Sequence, residues 1–175
     1  MLLLFLINVY HIFGQKMNYL TLKNQIKALI ESTNNLISDL SNVSSLLFNS
    51  LEDVSWVGFY IYSNEKLLLG PFMGKPACTE IEIGKGVCGT AFIKKETVIV
   101  KNVHDFVGHI ACDSASNSEI VVPIFVNEKV VGVLDLDSTS FGRFSEEDKV
   151  GLEEIVEVVS NSFLKEQFKL WKLSI

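Results

Sequence analysis

The period of the apolar residues changes twice along this chain, and that pattern confines it to a mixed architecture. From Asn18 to Ser50 apolar side chains recur at helical spacing: Leu22, Ile26, Leu29 and Ile30, then Leu36, Leu40, Val43 and Leu47. Four helix-neutral polar residues, Ser32–Asn35, interrupt the pattern, which predicts one bent helix or two. From Val54 the sequence turns aromatic and β-branched, and Val54–Tyr62 with Leu67–Phe72 reads as a hairpin turning at Ser63–Lys66. Gly70, Pro71, Gly74 and Pro76 predict a loop containing Cys78, and Glu80–Ile83 alternates like a short strand. A glycine-rich turn, Gly84–Gly89, feeds an expected short helix over Thr90–Lys95, and Val98–Val100 reads as a strand. Ile120–Val126 and Val130–Asp137 form a second predicted hairpin around Asn127-Glu128-Lys129. The helical period then returns in Leu152, Ile155, Val159 and Phe163, behind a capping box at Ser145–Asp148. Strands on short turns with helices at both ends indicate an α+β fold with a mainly antiparallel sheet. The terminal helices are expected on one face of it, with a ligand pocket on the other, under the long polar loop Asn102–Asn117.

A length of 175 residues with 48% apolar and 21% charged side chains is enough for one buried core and sets the chain apart from disordered sequences. Against 21 acidic residues there are 15 basic ones, a net charge of −6, and no more than two basic residues are adjacent. Nucleic acid and anionic membrane surfaces are therefore poor partners. The opening run, MLLLFLINVYHIF, is apolar at eleven of thirteen positions but shorter than the roughly 20 residues a membrane span needs. It also has no positive charge ahead of it, as a secretory signal would. We expect residues 1–16 to be an apolar leader upstream of a start at Met17, and residues 17–175 to be a single domain.

Three cysteines cannot all pair within one molecule and are few for a secreted disulfide scaffold, so a reducing, cytoplasmic setting is expected. Their spacing, Cys78-x9-Cys88-x23-Cys112, matches neither a zinc site nor a CxxC redox motif. Cys88 lies where the glycine turn opens a helix, and exposed amides there would favour a thiolate. Cys112 precedes a run of small polar residues that leave a sulfur accessible. Composition leaves inert thiols and a redox pair equally open.

Asp135 and Asp137 lie two apart on a strand and so share a face, and hairpin pairing would bring Glu119 beside them. Clustered acids either hold a cationic group or, through mutual repulsion and burial, keep a proton to donate; a solvated strand face is the bland alternative. Trp56 and Tyr60 also share a face, as core packing or as an aromatic wall. His104 and His109 lack a third ligand at suitable spacing, so no metal is expected. Gly84-x-Gly86-x-x-Gly89 has dinucleotide-binding spacing but neither the buried strand before it nor the acid after it.

Gly74-Lys-Pro-Ala-Cys78, Gly84-Lys-Gly-Val-Cys-Gly-Thr90, the block from Gly108 to Pro123 and Gly132-Val-Leu-Asp-Leu-Asp-Ser138 together resemble the motifs of the free methionine-(R)-sulfoxide reductases, which are single-domain GAF proteins. The resemblance runs from about Tyr19 to the closing helix. It implies a GAF-like fold and a cytoplasmic, thiol-dependent oxidoreductase acting on the free amino acid, with no metal or organic cofactor. It further implies recycling by thioredoxin and a homodimer. By the same resemblance Cys112 attacks the substrate, Cys78 resolves, and Cys88 has also been given a catalytic part. Glu119, Asp135 and Asp137 would surround the substrate, with Trp56 and Tyr60 walling its methyl end. The alternative is a non-enzymatic GAF sensor that binds a small ligand or reports redox state through the same cysteines.

Overall fold

The computed structural model describes residues 18–108 and 114–173. The apolar stretch 1–16, His109 and Cys112 lie outside them. Two helices open the domain, α1 (Tyr19–Glu31) and α2 (Leu36–Ser50), separated where the polar interruption predicted a break. Each starts on an asparagine cap: Asn18 accepts from the Leu20 amide at 2.8 Å and Asn35 from the Ser38 amide at 2.9 Å. The strands β1 (Trp56–Ser63), β2 (Lys66–Met73) and β3 (Glu80–Glu82) follow, then helix α3 (Gly86–Lys94) and strand β4 (Val98–Val100). After a 3₁₀ turn at Val103–Asp105 come β5 (Ser118–Val126), β6 (Lys129–Ser138) and the closing helix α4 (Glu146–Leu173).

The six strands form one antiparallel sheet in the order β3-β2-β1-β6-β5-β4. Both tight hairpins turn on two residues with positive φ, Asn64-Glu65 and Asn127-Glu128, whose left-handed backbone matches the twist of the paired strands. The second turn is one residue shorter than expected, because Lys129 already pairs with Val126.

Alternation along the strands sorts the side chains into two apolar layers. Val57, Phe59, Ile120, Val122, Ile124, Leu134 and Leu136 point to the side covered by α1, α2 and α4, where they meet Leu22, Ile26, Leu40, Leu47, Leu152 and Ile155. The terminal helices thus share a face, as predicted. On the other side Trp56, Tyr60, Val121 and Val133 pack with Val87, Cys88 and Ala91 of α3. The capping box is present: the Ser145 amide donates to Asp148 Oδ2 at 2.8 Å, and the Asp148 amide donates to Ser145 Oγ at 3.3 Å. No described helix is long and apolar enough to cross a membrane.

Two local details refine or correct the expectation. The strand β2 runs through Gly70 and Pro71, as the hairpin over Leu67–Phe72 predicts, although both were also read as breaking the chain into the loop that follows. Both residues lie opposite the single residue Phe59 in a bulge between the pairs Gly58–Phe72 and Tyr60–Leu69, and a bulge tolerates a residue with no amide hydrogen. The helix α3 begins at Gly86 rather than Thr90, so the glycine turn is partly its first turn. Gly84 and Gly86 take φ of +83° and +61°, which lets the chain reverse from β3 straight into the helix.

Candidate active site

Two neighbouring strands carry the acids, and a third, β1, carries the aromatics beside them. Cross-strand pairing sets Asp137 of β6 between Trp56 of β1 and Glu119 of β5, and Asp135 between Gly58 and Val121. Trp56, Asp137 and Glu119 therefore form one row across the sheet, with Asp135 in the next row on the same face. Glu119 and Asp135 are each 6% exposed, which is unusual for carboxyls and turns them from a solvated face into a buried group. Asp137 is half-buried.

Burial pushes the Glu119 carboxyl well above its usual range, and the charges of Asp135 and Asp137 push it further. Asp135 is raised by burial and then by Asp137, while hydrogen bonds from Cys88 and Glu119 offset part of the effect. Glu119 and Asp135 thus hold their protons more tightly than exposed carboxyls do, and a cation bound there would favour their release. One oxygen of Asp135, Oδ1, is buried and makes no hydrogen bond among the described residues.

Cys88, the third residue of α3, points into the same cluster, and its Sγ donates to Asp135 Oδ2 at 3.3 Å. The expected low-pKa thiolate is not found. The side chain is buried, and burial followed by the charges of Asp135 and Glu119 drives the thiol well upward. The helix amides that would favour a thiolate are outweighed by the acids opposite, a contact the local sequence around Cys88 does not reveal. Donor atoms of Cys88, Glu119 and Asp135 all lie within 4.8 Å of one another, the spread a divalent cation requires. Burial favours the protonated form of all three, which opposes a cation there.

The aromatic residues form a wall beside the acids. Trp56 stacks on Tyr60 with ring centroids 6.0 Å apart, and on Phe72 at 5.4 Å. Polar tips anchor both: Trp56 Nε1 donates to the Lys75 carbonyl and Tyr60 Oη to the Cys78 carbonyl, each at 3.0 Å. Gly58, between the two on β1, is required by this packing, since a Cβ there would sit 2.3 Å from Trp56 Cη2. Phe72 and Gly58 were not singled out from sequence; a glycine breaking the apolar run between two aromatics was the available signal.

Cys78, in the segment after β2, is disulfide-bonded, whereas Cys88 is a free thiol. The neck of the long loop is tied shut. The Val103 amide donates to the Asn117 carbonyl at 3.0 Å, His104 Nε2 meets Asn117 Oδ1 at 3.0 Å, and Asn117 Nδ2 donates to the Thr139 carbonyl at 2.6 Å. His104 is thus a structural strut. A groove on the helical side, between β5 and α4, is lined by Lys95, Val122, Phe125, Lys149 and Val156 and holds none of the candidate residues.

An antiparallel six-stranded sheet, helices from both chain ends on one face and an enclosed polar cluster on the other define the class, and residues 38–163 match the GAF domain family. The chain is 43% identical over 157 residues to the free methionine-R-sulfoxide reductase of Escherichia coli, covering 90% of this chain and 95% of that one. The X-ray structure of free methionine-R-sulfoxide reductase from Neisseria meningitidis in complex with its substrate superposes with a TM-score of 0.83 at 37% identity, covering 86% of this chain and 91% of the other. The reduced form of fRMsr of Staphylococcus aureus gives 0.80 at 51% identity, over 83% and 94%. The chain belongs to the free methionine-R-sulfoxide reductase family of GAF domains.

Proposed function

We propose that this chain reduces free L-methionine-(R)-sulfoxide to L-methionine, using Cys112 as nucleophile and Cys78 as resolving thiol. The observation that carries the reading is the convergence of Glu119, Asp135 and Asp137 beside the Trp56–Tyr60 wall. A sulfoxide sulfur becomes electrophilic when its oxygen takes a proton, and a carboxyl whose hold on its proton is strengthened by burial is a suitable donor. We assign that proton to Glu119. Asp135 and Asp137 hold the α-ammonium, which makes the free amino acid the substrate: a peptide bond would replace the cation with a neutral amide. The aromatic wall takes the methyl group and so fixes which face of the sulfur meets the thiolate.

In the first half-reaction the Cys112 thiolate attacks the sulfur of the protonated sulfoxide. The substrate S–O bond breaks as its hydroxyl passes to the Cys112 sulfur, and methionine leaves with its own sulfur, giving Cys112 sulfenic acid. The Cys78 thiol then condenses with it, forming a disulfide and releasing water. A dithiol of the thioredoxin class reopens the disulfide by exchange and is itself oxidised. A disulfide-bonded Cys78 and a free, buried Cys88 support giving the redox role to the first and not the second. A cytoplasmic homodimer belongs to the same proposal.

Purified protein with a thiol reductant should consume the R epimer of free methionine sulfoxide and spare the S epimer; consumption of neither would end the enzyme reading. Cys112→Ser should release no methionine even in a single turnover. Cys78→Ser should complete one turnover and fail to recycle.

A further inference from the structure

We infer that Cys88 is a positioning residue: its S–H holds one oxygen of Asp135 so that the other faces the substrate's ammonium. This rests on the acid-lined face being an amino-acid site, and it gives a task to the thiol that the proposed redox cycle leaves unused. Asp135 Oδ2 receives the Cys88 thiol at 3.3 Å, while Oδ1, equally buried, has no hydrogen-bond partner among the described residues. A buried carboxylate oxygen without a partner is costly, so it is retained where a ligand completes it.

The surroundings explain why a donor is needed there. Across the strand from Asp135 stands Gly58, which has no side chain to brace the carboxyl. On the same face Val121 and Val133 offer no hydrogen bond, and the polar neighbours are the other acids: Glu119, which shares a hydrogen bond with Asp135, and Asp137. The thiol arrives from α3, whose early start at Gly86 puts Cys88 in the first turn, directed at the sheet. Sulfur suits the position. It packs as a small apolar group against Val87 and Ala91, yet supplies one weak donor, enough to orient Asp135 without neutralising it. Without that contact only the Glu119 hydrogen bond steadies Asp135, and the ammonium meets a less ordered pair of oxygens.

The test compares Cys88→Ser, which keeps a donor, with Cys88→Ala, which does not. Steady-state kinetics on free methionine-(R)-sulfoxide should show KM raised about tenfold in Cys88→Ala with kcat within about twofold, and KM largely restored in Cys88→Ser. A collapse of kcat in Cys88→Ala at unchanged KM, or equal impairment of both variants, would overturn the inference. Infrared spectroscopy of the oxidised protein reads the contact without turnover. The Cys88 S–H stretching band should sit at the lower frequency of a hydrogen-bonded thiol and move up in Asp135→Asn; a band indifferent to that substitution also overturns it. A wild-type protein that reduces neither epimer would count against the reductase reading alone, since the infrared band still reports on the bond.

Discussion

At position 119 a glutamate that is only 6% exposed faces two aspartates across the β5–β6 pairing. Such a group works as an acid only while it keeps its proton, so activity should fall as pH rises through its elevated pKa. Glu119→Gln should lower kcat/KM by at least about a hundredfold and remove that alkaline limb from the pH–rate profile. A variant with the wild-type profile would move the acid role to Asp135 or Asp137. The same burial has a cost to stability, whose sign follows from proton binding. Above about pH 4 the unfolded chain releases carboxyl protons that the folded chain retains. Stability therefore falls as pH rises from there through the raised native values of Glu119 and Asp135. Asp135→Asn removes part of that loss, so its melting temperature should exceed the wild type's at pH 8 and converge with it near pH 4. Thermal melts across that range would show it; a pH-independent difference would mean that packing, not charge, dominates. Sequence exposed these acids through their same-face spacing. It could not show that Cys88 meets them, because that contact joins residues 47 positions apart across the gap between helix and sheet.

Single elements were legible where their signals are local. Caps, two-residue turns and helical spacing each depend on a few neighbouring residues, and α1, α2, both hairpins and the start of α4 fall where those residues put them. The two features least legible were those whose form depends on a partner. Pro71 stays in β2 because Phe59 of β1 accepts a bulge opposite it, and α3 starts at Gly86 because glycines let the turn pack against β3. The helix start of α4 offers a test at this scale. Tyr19 of α1 donates its hydroxyl to Asp148 Oδ1 at 2.6 Å, and Arg143 reaches the same oxygen at 3.2 Å. Burial alone would raise the Asp148 carboxyl, but hydrogen bonds from Tyr19, Ser145 and Arg143 hold it below its usual value. A depressed carboxyl stabilises the fold above its unfolded pKa and loses that contribution as pH falls through the native one. Tyr19→Phe should therefore cost about 1–2 kcal/mol at pH 7 and less at pH 3, read by urea unfolding at both.

Across the whole molecule the sheet separates two jobs. The layer under α1, α2 and α4 contains no member of the candidate site, and the acids, the aromatics and Cys88 occupy the other. This division followed from strand alternation, whereas the closing of the second layer by α3 did not, since it needs a long-range return of the chain. Leu134→Ala, on the helical side, should destabilise by about 2–5 kcal/mol in urea unfolding while the folded fraction keeps its KM. Asp137→Asn should do the reverse, weakening substrate affinity with little change in the unfolding midpoint. A large stability loss in Asp137→Asn would show that the two layers are not independent. Because adjacent residues on one strand belong to opposite layers, Leu134 and Leu136 anchor the scaffold while Asp135 and Asp137 between and beside them are free to vary. Exchanging only the alternate positions would refit the same chassis to a different metabolite, so this architecture lends itself to inheriting new specificities without relearning how to fold.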